Sequence, residues 1–258
     1  MADLPDSFTA RPIAHRALHD LGSGVVENSL TAIDRAMRMG YGIEIDLQLS
    51  SDGVPMVFHD DTLDRLTTAT GPVRGRTAQE LADLRLKGSD DRIPTLARVL
   101  EKVDGAVPLL IELKDQSRNL GQTETVLEAA TAAVLSDYAG DAAVMSFNPF
   151  MVAAMADLAP TLPRGLTTCG FIPSHWPHLP PETCTALRSI TAFGKVGAQF
   201  ISHDWTDLGS PRVVELRAQG IPILCWTITQ PQDEAQARLI ADNVTFEGYL
   251  PPLDPPRD

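Results

Sequence analysis

Short β-rich runs alternate with amphipathic segments almost to the C-terminus. Parallel strands need a long crossover between them, usually a helix, whereas hairpin sheets do not, so this order restricts the chain to parallel βα units. Eight runs have strand character, at 12–15, 42–49, 109–114, 142–147, 164–168, 198–202, 221–228 and 244–249. Eight such units point to a closed α/β barrel, and about 250 residues is what one (β/α)8 domain uses. The 258 residues are therefore expected to form one domain.

Helix signals fall between the strands. Leu30, Ile33, Ala36 and Met37 make an apolar stripe over 29–39, with Asn28 or Ser29 as cap and Gly40 as stop. Ser210-Pro211 opens a helix that Gly220 ends, and 121–136 and 231–242 have helical spacing. The stretch 51–92 departs from a simple βα step: it holds a second short strand (54–59), a turn-rich 67–75 and the capping box Thr77-Ala78-Gln79-Glu80. It reads as an insertion after the second strand, on the barrel's rim. A second loop-rich excursion runs from 170 to about 181, and both are places where substrate selection is expected. The proline-rich 251–256 is expected to be extended or frayed.

Twenty-one Lys and Arg against 34 Asp and Glu give a net charge of -13, which repels polyanions and argues against nucleic acid and anionic membranes as partners. A small anionic substrate in a locally positive pocket stays open. Cys169, Cys184 and Cys225 are an odd number without CxxC spacing, and so suggest free thiols rather than a disulfide framework or a zinc ribbon. The first residues lack the basic and apolar parts of a secretion signal, and no run reaches bilayer length. A cytoplasmic protein without stable membrane insertion is expected; the oligomeric state is left open.

The polar pattern inside the strands carries the chemistry. Strict alternation in Ile43-Glu44-Ile45-Asp46-Leu47-Gln48-Leu49 puts the apolar residues on one face and Glu44, Asp46 and Gln48 on the other. In a parallel barrel the apolar face meets the helices and the carboxylates point inward, where they need a proton, a partner or a metal. On a half-exposed antiparallel strand the same pattern would be a solvated face. In Leu109-Leu110-Ile111-Glu112-Leu113-Lys114, Glu112 and Lys114 share a face at the C-terminal end of the run, where barrel active sites are built. Glu44, Asp46 and Glu112 together make an all-oxygen site suited to Mg²⁺ or Ca²⁺ rather than zinc. Lys114 is either their salt-bridge partner or a clamp for a bound anion.

His15 and His59 each end a short β run, near the paired carboxylates in sequence, and imidazole is the natural proton carrier near neutral pH. Arg16 adds a planar fork for phosphate or carboxylate. His175-Trp176-Pro177-His178 reads as a rim loop, His203-Asp204-Trp205 lacks a serine nucleophile to make a triad, and Cys225 reads as packing.

These blocks, His15-Arg16, Glu27-Asn28, Glu44-Ile45-Asp46, the run from Asp52-Gly53-Val54-Pro55 to Phe58-His59-Asp60, Ile93-Pro94-Thr95-Leu96 and Ile111-Glu112-Leu113-Lys114, resemble the glycerophosphodiester phosphodiesterases and occur in that family's order. Ser146-Phe147 and Trp226-Thr227 are weaker echoes. The resemblance implies a TIM barrel with an insertion after its second strand. It implies His15 and His59 as acid–base pair, Glu44, Asp46 and Glu112 as ligands of one divalent cation, Mg²⁺ or Ca²⁺, and Arg16 and Lys114 as phosphate contacts. Glu27 and Asn28 would position substrate or the groups that hold it, and Trp226 would either line the pocket or pack in the core. The implied reaction hydrolyses a glycerophosphodiester to sn-glycerol 3-phosphate and an alcohol. It leaves open the alcohol, which histidine is the acid, and whether water or the glycerol 2-hydroxyl attacks.

Two departures bear on the pocket. Ala17 stands where the family usually has Gly, which adds strain if φ is positive there, and the last strand reads Val244-Thr245-Phe246-Glu247-Gly248-Tyr249 instead of carrying a Thr-Asp pair. The competing readings are a lysophospholipase D-like enzyme acting on lysolipids and a catalytically silent binding barrel. The sphingomyelinase D enzymes share the barrel, histidines and metal site, but are typically secreted, disulfide-bonded and without the long insertion.

Overall fold

A computed structural model describes residues 3–253. Among them are the strands β1 (Ile13–Ala14), β2 (Gly42–Leu49), β3 (Pro55–Val57), β4 (Leu109–Leu113), β5 (Ala142–Ser146), β6 (Arg164–Thr168), β7 (Phe200–Asp204), β8 (Ile223–Ile228) and β9 (Asn243–Phe246). All but β3 run parallel, and β1 pairs with both β2 and β9, which closes an eight-stranded TIM barrel. β3 lies outside it, antiparallel to β2 with Leu47 opposite Val57.

The barrel divides into an apolar floor and a polar mouth. Ile13, Leu110, Ala143, Phe200 and Leu224 fill its N-terminal half, with Leu4 and Phe8 packed against them from the segment around the short helix Ser7–Ala10. Gly165 is required in that layer, because a Cβ there would lie 2.4 Å from the ring of Phe200. One turn of alternation higher, the inward positions become Glu44, Asp46 and Glu112, all buried. Ile43, Ile45 and Leu47 pack outward into the main core with helix residues such as Ile33 and Val99. The β2 pattern is thus that of an inward-facing carboxylate strand, not of a solvated one.

Helix Leu30–Met39 uses Ser29, whose hydroxyl accepts the Ala32 N–H, and stops at Gly40 with φ 78°. Some boundaries differ from the sequence expectation. The helix expected from 121 starts at Val126, because Asp115 holds the Ser117 and Leu120 N–H groups in a tight turn and Thr125 sits at φ 56°. Strand β7 lies two residues later than 198–202, since Ala198 N–H still closes the preceding turn on Phe193 and the Gln199 side chain caps Arg164 N–H. The last helix ends at Ala237 rather than 242. Helices Leu96–Val103, Pro149–Leu158 and Pro181–Arg188 had no counterpart in the periodicity reading; Thr95 and Asn148 cap the first two.

Residues 51–92 pack around a small core of their own that includes Met56, Phe58, Leu63, Leu66 and Leu81, and the Thr77–Glu80 capping box forms. In the 170–181 excursion, Phe171 and Leu179 are buried with Leu120 and Cys184. Of the proline-rich 251–256, residues 251–253 have no regular structure and 254–256 lie outside the described residues. No described helix is long and apolar enough to cross a membrane.

Candidate active site

His15 directly follows β1, Glu44 and Asp46 lie on β2, Glu112 lies on β4 and Lys114 directly follows it. His59 arrives from outside the barrel, two residues beyond β3. Together with Arg16 they line one cavity of about 130 Å³ at the C-terminal mouth, and Trp226 of β8 forms part of its wall. The Trp226 indole N–H donates to the Ser202 carbonyl at 2.9 Å, and its ring stands edge-on to Phe147 at 5.6 Å. The ring also packs on the buried cluster of Leu120, Cys169, Phe171 and Cys184, so both sequence readings of Trp226 stay compatible with its position.

Parallel register sets the acidic cluster, because Asp46 is the partner of Glu112 across β2 and β4. Glu44, Asp46 and Glu112 each offer an oxygen, all within 4.8 Å of one another, the arrangement of a cation site. Lys114 Nζ lies 2.7 Å from both Asp46 Oδ1 and Glu112 Oε1, so both sequence roles of Lys114 stay compatible with its position. Burial opposes ionisation of Asp46, but the Lys114, His59 and Arg16 charges outweigh it and hold the carboxyl below its usual range. Glu44 lacks such a partner: its Oε2 accepts only the Arg16 backbone N–H, at 2.8 Å. Burial and repulsion from Asp46 and Glu112 push its pKa well up.

Glu27 and Asn28 do not line the cavity; they hold groups that do. Glu27 Oε1 accepts from Arg16 Nη1 at 2.9 Å, and Asn28 Nδ2 donates to Asp46 Oδ2 at 2.8 Å while its own Oδ1 takes the Asp46 N–H at 3.3 Å. Arg16, Ala17 and Asn28 all have positive φ, of 51°, 63° and 58°. That geometry turns Arg16 N–H to the Glu44 carboxylate and Ala17 N–H to the Glu44 carbonyl at 2.9 Å. Ala in place of Gly therefore carries strain, on the order of 1–2 kcal/mol.

Each histidine is held at Nδ1 by a carboxylate. His15 Nδ1 is 2.7 Å from Glu247 Oε2, and His59 Nδ1 is 2.8 Å from Asp60 Oδ1. A carboxylate acceptor selects the Nδ1–H tautomer and leaves Nε2 to exchange a proton. Burial and the Lys114 charge lower the His59 pKa from its ordinary value, against the opposing pull of Asp46 and Asp60. Glu247, Asp60 and Arg65 were absent from the sequence candidates. Asp60 could have been found from its position next to His59, and Glu247 from its place in the altered last strand; nothing in the periodicity marks Arg65.

Glu247 also lies 3.5 Å from His19 Nε2, and the hydrogen bond with His15 together with the nearby His19 ring holds its carboxyl far below the usual range. A depressed carboxyl pKa stabilises the fold above the unfolded value of about 4.3 and loses that contribution as pH falls through the folded one. Glu247→Gln is accordingly expected to melt about 1–4 °C below the parent at pH 7, with the gap closing below about pH 4. A gap unchanged by acid in parallel thermal melts would contradict the pairing.

The remaining histidines and the thiols do not line this cavity, although Trp176 and His178 line an adjoining one together with Glu112 and Lys114. Trp176 packs against Phe147 and Phe171 with ring centroids 5.4 and 5.1 Å apart, and the His178 ring lies 5.7 Å from it, tilted by 47°. His203 is buried between Thr168 Oγ1 at 2.8 Å and Asp207 Oδ2 at 3.3 Å, on the side of its strand that carries the outward Ile201. Cys225 is fully buried and its thiol pKa is pushed up to about 12, as expected of a packing residue.

The profile of the "Glycerophosphoryl diester phosphodiesterase family" matches residues 15–245. A glycerophosphodiester phosphodiesterase of Caldanaerobacter subterraneus subsp. tengcongensis is 30% identical over 86% of this chain and 86% of its own. One of Bacillus subtilis is 26% identical over 86% of this chain and 77% of its own. Among solved structures, an Oleispira antarctica phosphodiesterase in complex with the product sn-glycerol-3-phosphate superposes with a TM-score of 0.75. It is 24% identical and covers 93% of this chain and 94% of its own, a likeness that speaks for the fold. A profile match over residues 15–245, together with a relative 30% identical over 86% of both chains, places the chain in the glycerophosphoryl diester phosphodiesterase family of phosphoric diester hydrolases.

Proposed function

We propose that this protein is a metal-dependent glycerophosphodiester phosphodiesterase that releases sn-glycerol 3-phosphate and an alcohol. The observation that carries the reading is the meeting, in one cavity, of two carboxylate-held imidazoles, three clustered carboxylates and two cationic side chains. The product bound to the Oleispira antarctica relative is in keeping with it. A single-domain enzyme working in the cytoplasm, with the 51–92 insertion on its rim, completes the proposal.

The donor set fits a hard divalent cation: three buried carboxylates have one close ammonium, Lys114, and Arg16 is shared with Glu27. Glu44, Asp46 and Glu112 would hold Mg²⁺ or Ca²⁺, which when bound supplies Lewis-acid polarisation of a phosphoryl oxygen. Arg16 and Lys114 orient the diester and offset the charge that develops on its non-bridging oxygens. His15 and His59 supply Nε2 on the same cavity, so that one accepts the proton of the nucleophile, water or the glycerol 2-hydroxyl, and the other protonates the departing alkoxide; attack by the 2-hydroxyl gives a cyclic phosphate that water then opens. Glu247 and Asp60 keep each ring turned for that exchange and stabilise the imidazolium formed in passing.

The test is release of glycerol 3-phosphate from glycerophosphocholine and glycerophosphoethanolamine by purified protein, first with chelator and then with Mg²⁺ or Ca²⁺ restored. Metal-dependent release is expected. No release with either metal, from protein that melts cooperatively, would overturn the reading in favour of a lysolipid substrate or a silent barrel.

A further inference from the structure

His15 directly follows a barrel strand, but His59 does not. It follows β3, which lies outside the barrel, and its backbone is tied to β2 by the Phe58 N–H on the Asp46 carbonyl at 3.0 Å and by Gln48 Nε2 on the His59 carbonyl at 3.2 Å, bonds that leave the orientation of the ring to its side-chain partners. On the side of the β1 loop, the link to the ring runs through Arg65. Arg65 Nε and Nη2 donate to Asp60 Oδ2 and Oδ1 at 2.6 and 2.8 Å, while Nη1 and Nη2 donate to Glu27 Oε2 and Oε1, both at 2.8 Å. One guanidinium thus makes two two-point forks in its plane, one on each carboxylate. Beyond them the chain continues at both ends: Asp60 holds His59 Nδ1, and Glu27 holds Arg16 Nη1. The result is an alternating row of charge, Arg16, Glu27, Arg65, Asp60 and His59, joining the β1 loop to the insertion.

We propose that Arg65 is a positioning residue, a two-sided clamp that fixes the ring orientation and tautomer of His59 relative to Arg16. The kinetic part of this proposal rests on the diesterase reading; the geometric part does not. Arg65 is itself well anchored. Leu63 and Leu66 on either side are buried in the insertion's core, and Lys87 Nζ donates to the Arg65 carbonyl at 3.2 Å. Arg65 touches neither the acidic cluster nor the cavity wall, so its effect on turnover must pass through Asp60 and Glu27. Lysine cannot replace it, because one ammonium cannot form both forks.

Arg65→Ala and Arg65→Lys would be compared with the parent by steady-state kinetics, thermal melts and imidazole ¹⁵N spectra, with the His59 signal assigned through its loss in His59→Gln. Arg65→Ala is expected to lower kcat about 30- to 100-fold with KM changed less than about threefold, since loss of a tautomer-fixing partner can cost up to ~10⁴ in kcat. The His59 signal should pass from the Nδ1–H form to a mixture. Millimolar guanidinium, but not urea, should restore part of the activity of Arg65→Ala, and Arg65→Lys should stay low. A kcat within twofold of the parent, or an unchanged His59 signal, would overturn the clamp. So would equal losses in kcat and stability that guanidinium fails to rescue, which would mark a merely structural residue. If the parent cleaves no glycerophosphodiester yet the His59 signal shifts in Arg65→Ala, the clamp stands and the diesterase reading falls.

Discussion

His15→Ala and His59→Ala are each expected to lower kcat for glycerophosphodiester cleavage by about 10³-fold or more, while far-UV circular dichroism and the melting temperature stay close to the parent. The size follows from the proton inventory of the cavity. Lys114 is committed as a cation between Asp46 and Glu112, and Arg16 does not give up its proton, so neither can replace a lost imidazole. The fold should survive because both rings sit at the mouth, above the apolar floor of Leu110, Phe200 and Leu224, and each leaves behind a carboxylate that water can reach. The two variants also separate the roles of the histidines. With a nitrophenyl ester of glycerol phosphate, whose leaving group needs no proton, the variant lacking the general acid should recover most of its rate. The variant lacking the base should stay slow. Turnover above a tenth of the parent rate in either variant, on the natural diester, would remove that histidine from the pair.

How far the site could be read in advance differs residue by residue. Glu44 and Asp46 were legible because alternation along one strand is a local property, and a parallel barrel allows only one assignment of its faces. Their nearness to Glu112 depends on strand register, which no single strand encodes; it came from the placement of Glu112 near the end of its run. Glu247 lies 232 positions from His15, and Arg65 lies 38 from Glu27. Such pairs are made by barrel closure and by the folding of the insertion, so periodicity carries no trace of them. Helix Leu96–Val103 shows a different loss. It spans only two turns, too few for its apolar spacing to stand out, although Thr95 caps it and Leu96, Val99, Leu100 and Val103 are buried. The missing glycine raised positive φ at Ala17 only as a condition, and the same geometry at Arg16 and Asn28 became visible only with the backbone.

Glu44→Gln should dissociate stability from activity. Glu44 is a buried carboxyl with two carboxylates nearby and no cation in contact, so in the metal-free protein its charge is opposed by burial and by repulsion. A glutamine keeps the shape, still accepts the Arg16 N–H through its oxygen, and adds an amide donor facing Asp46 and Glu112. The metal-free variant is therefore expected to melt at or above the parent temperature. Metal binding should show the opposite. A divalent ion at about 100 times its Kd contributes about 2.7 kcal/mol, which for a domain of this size raises the melting temperature by roughly 5–10 °C. That rise should appear in the parent with Mg²⁺ or Ca²⁺ and largely vanish in Glu44→Gln, with kcat lower by about 10²–10³. Asp46→Asn makes the control, because Asp46 is paired with Lys114 and bonded to Asn28, so its neutralisation should lower the metal-free melting temperature as well. A metal-induced rise as large in Glu44→Gln as in the parent would take Glu44 out of the ligand set. A metal-free Glu44→Gln melting well below the parent would show instead that this carboxylate supports the fold, and that the repulsion among the three acids is relieved by something other than a bound cation.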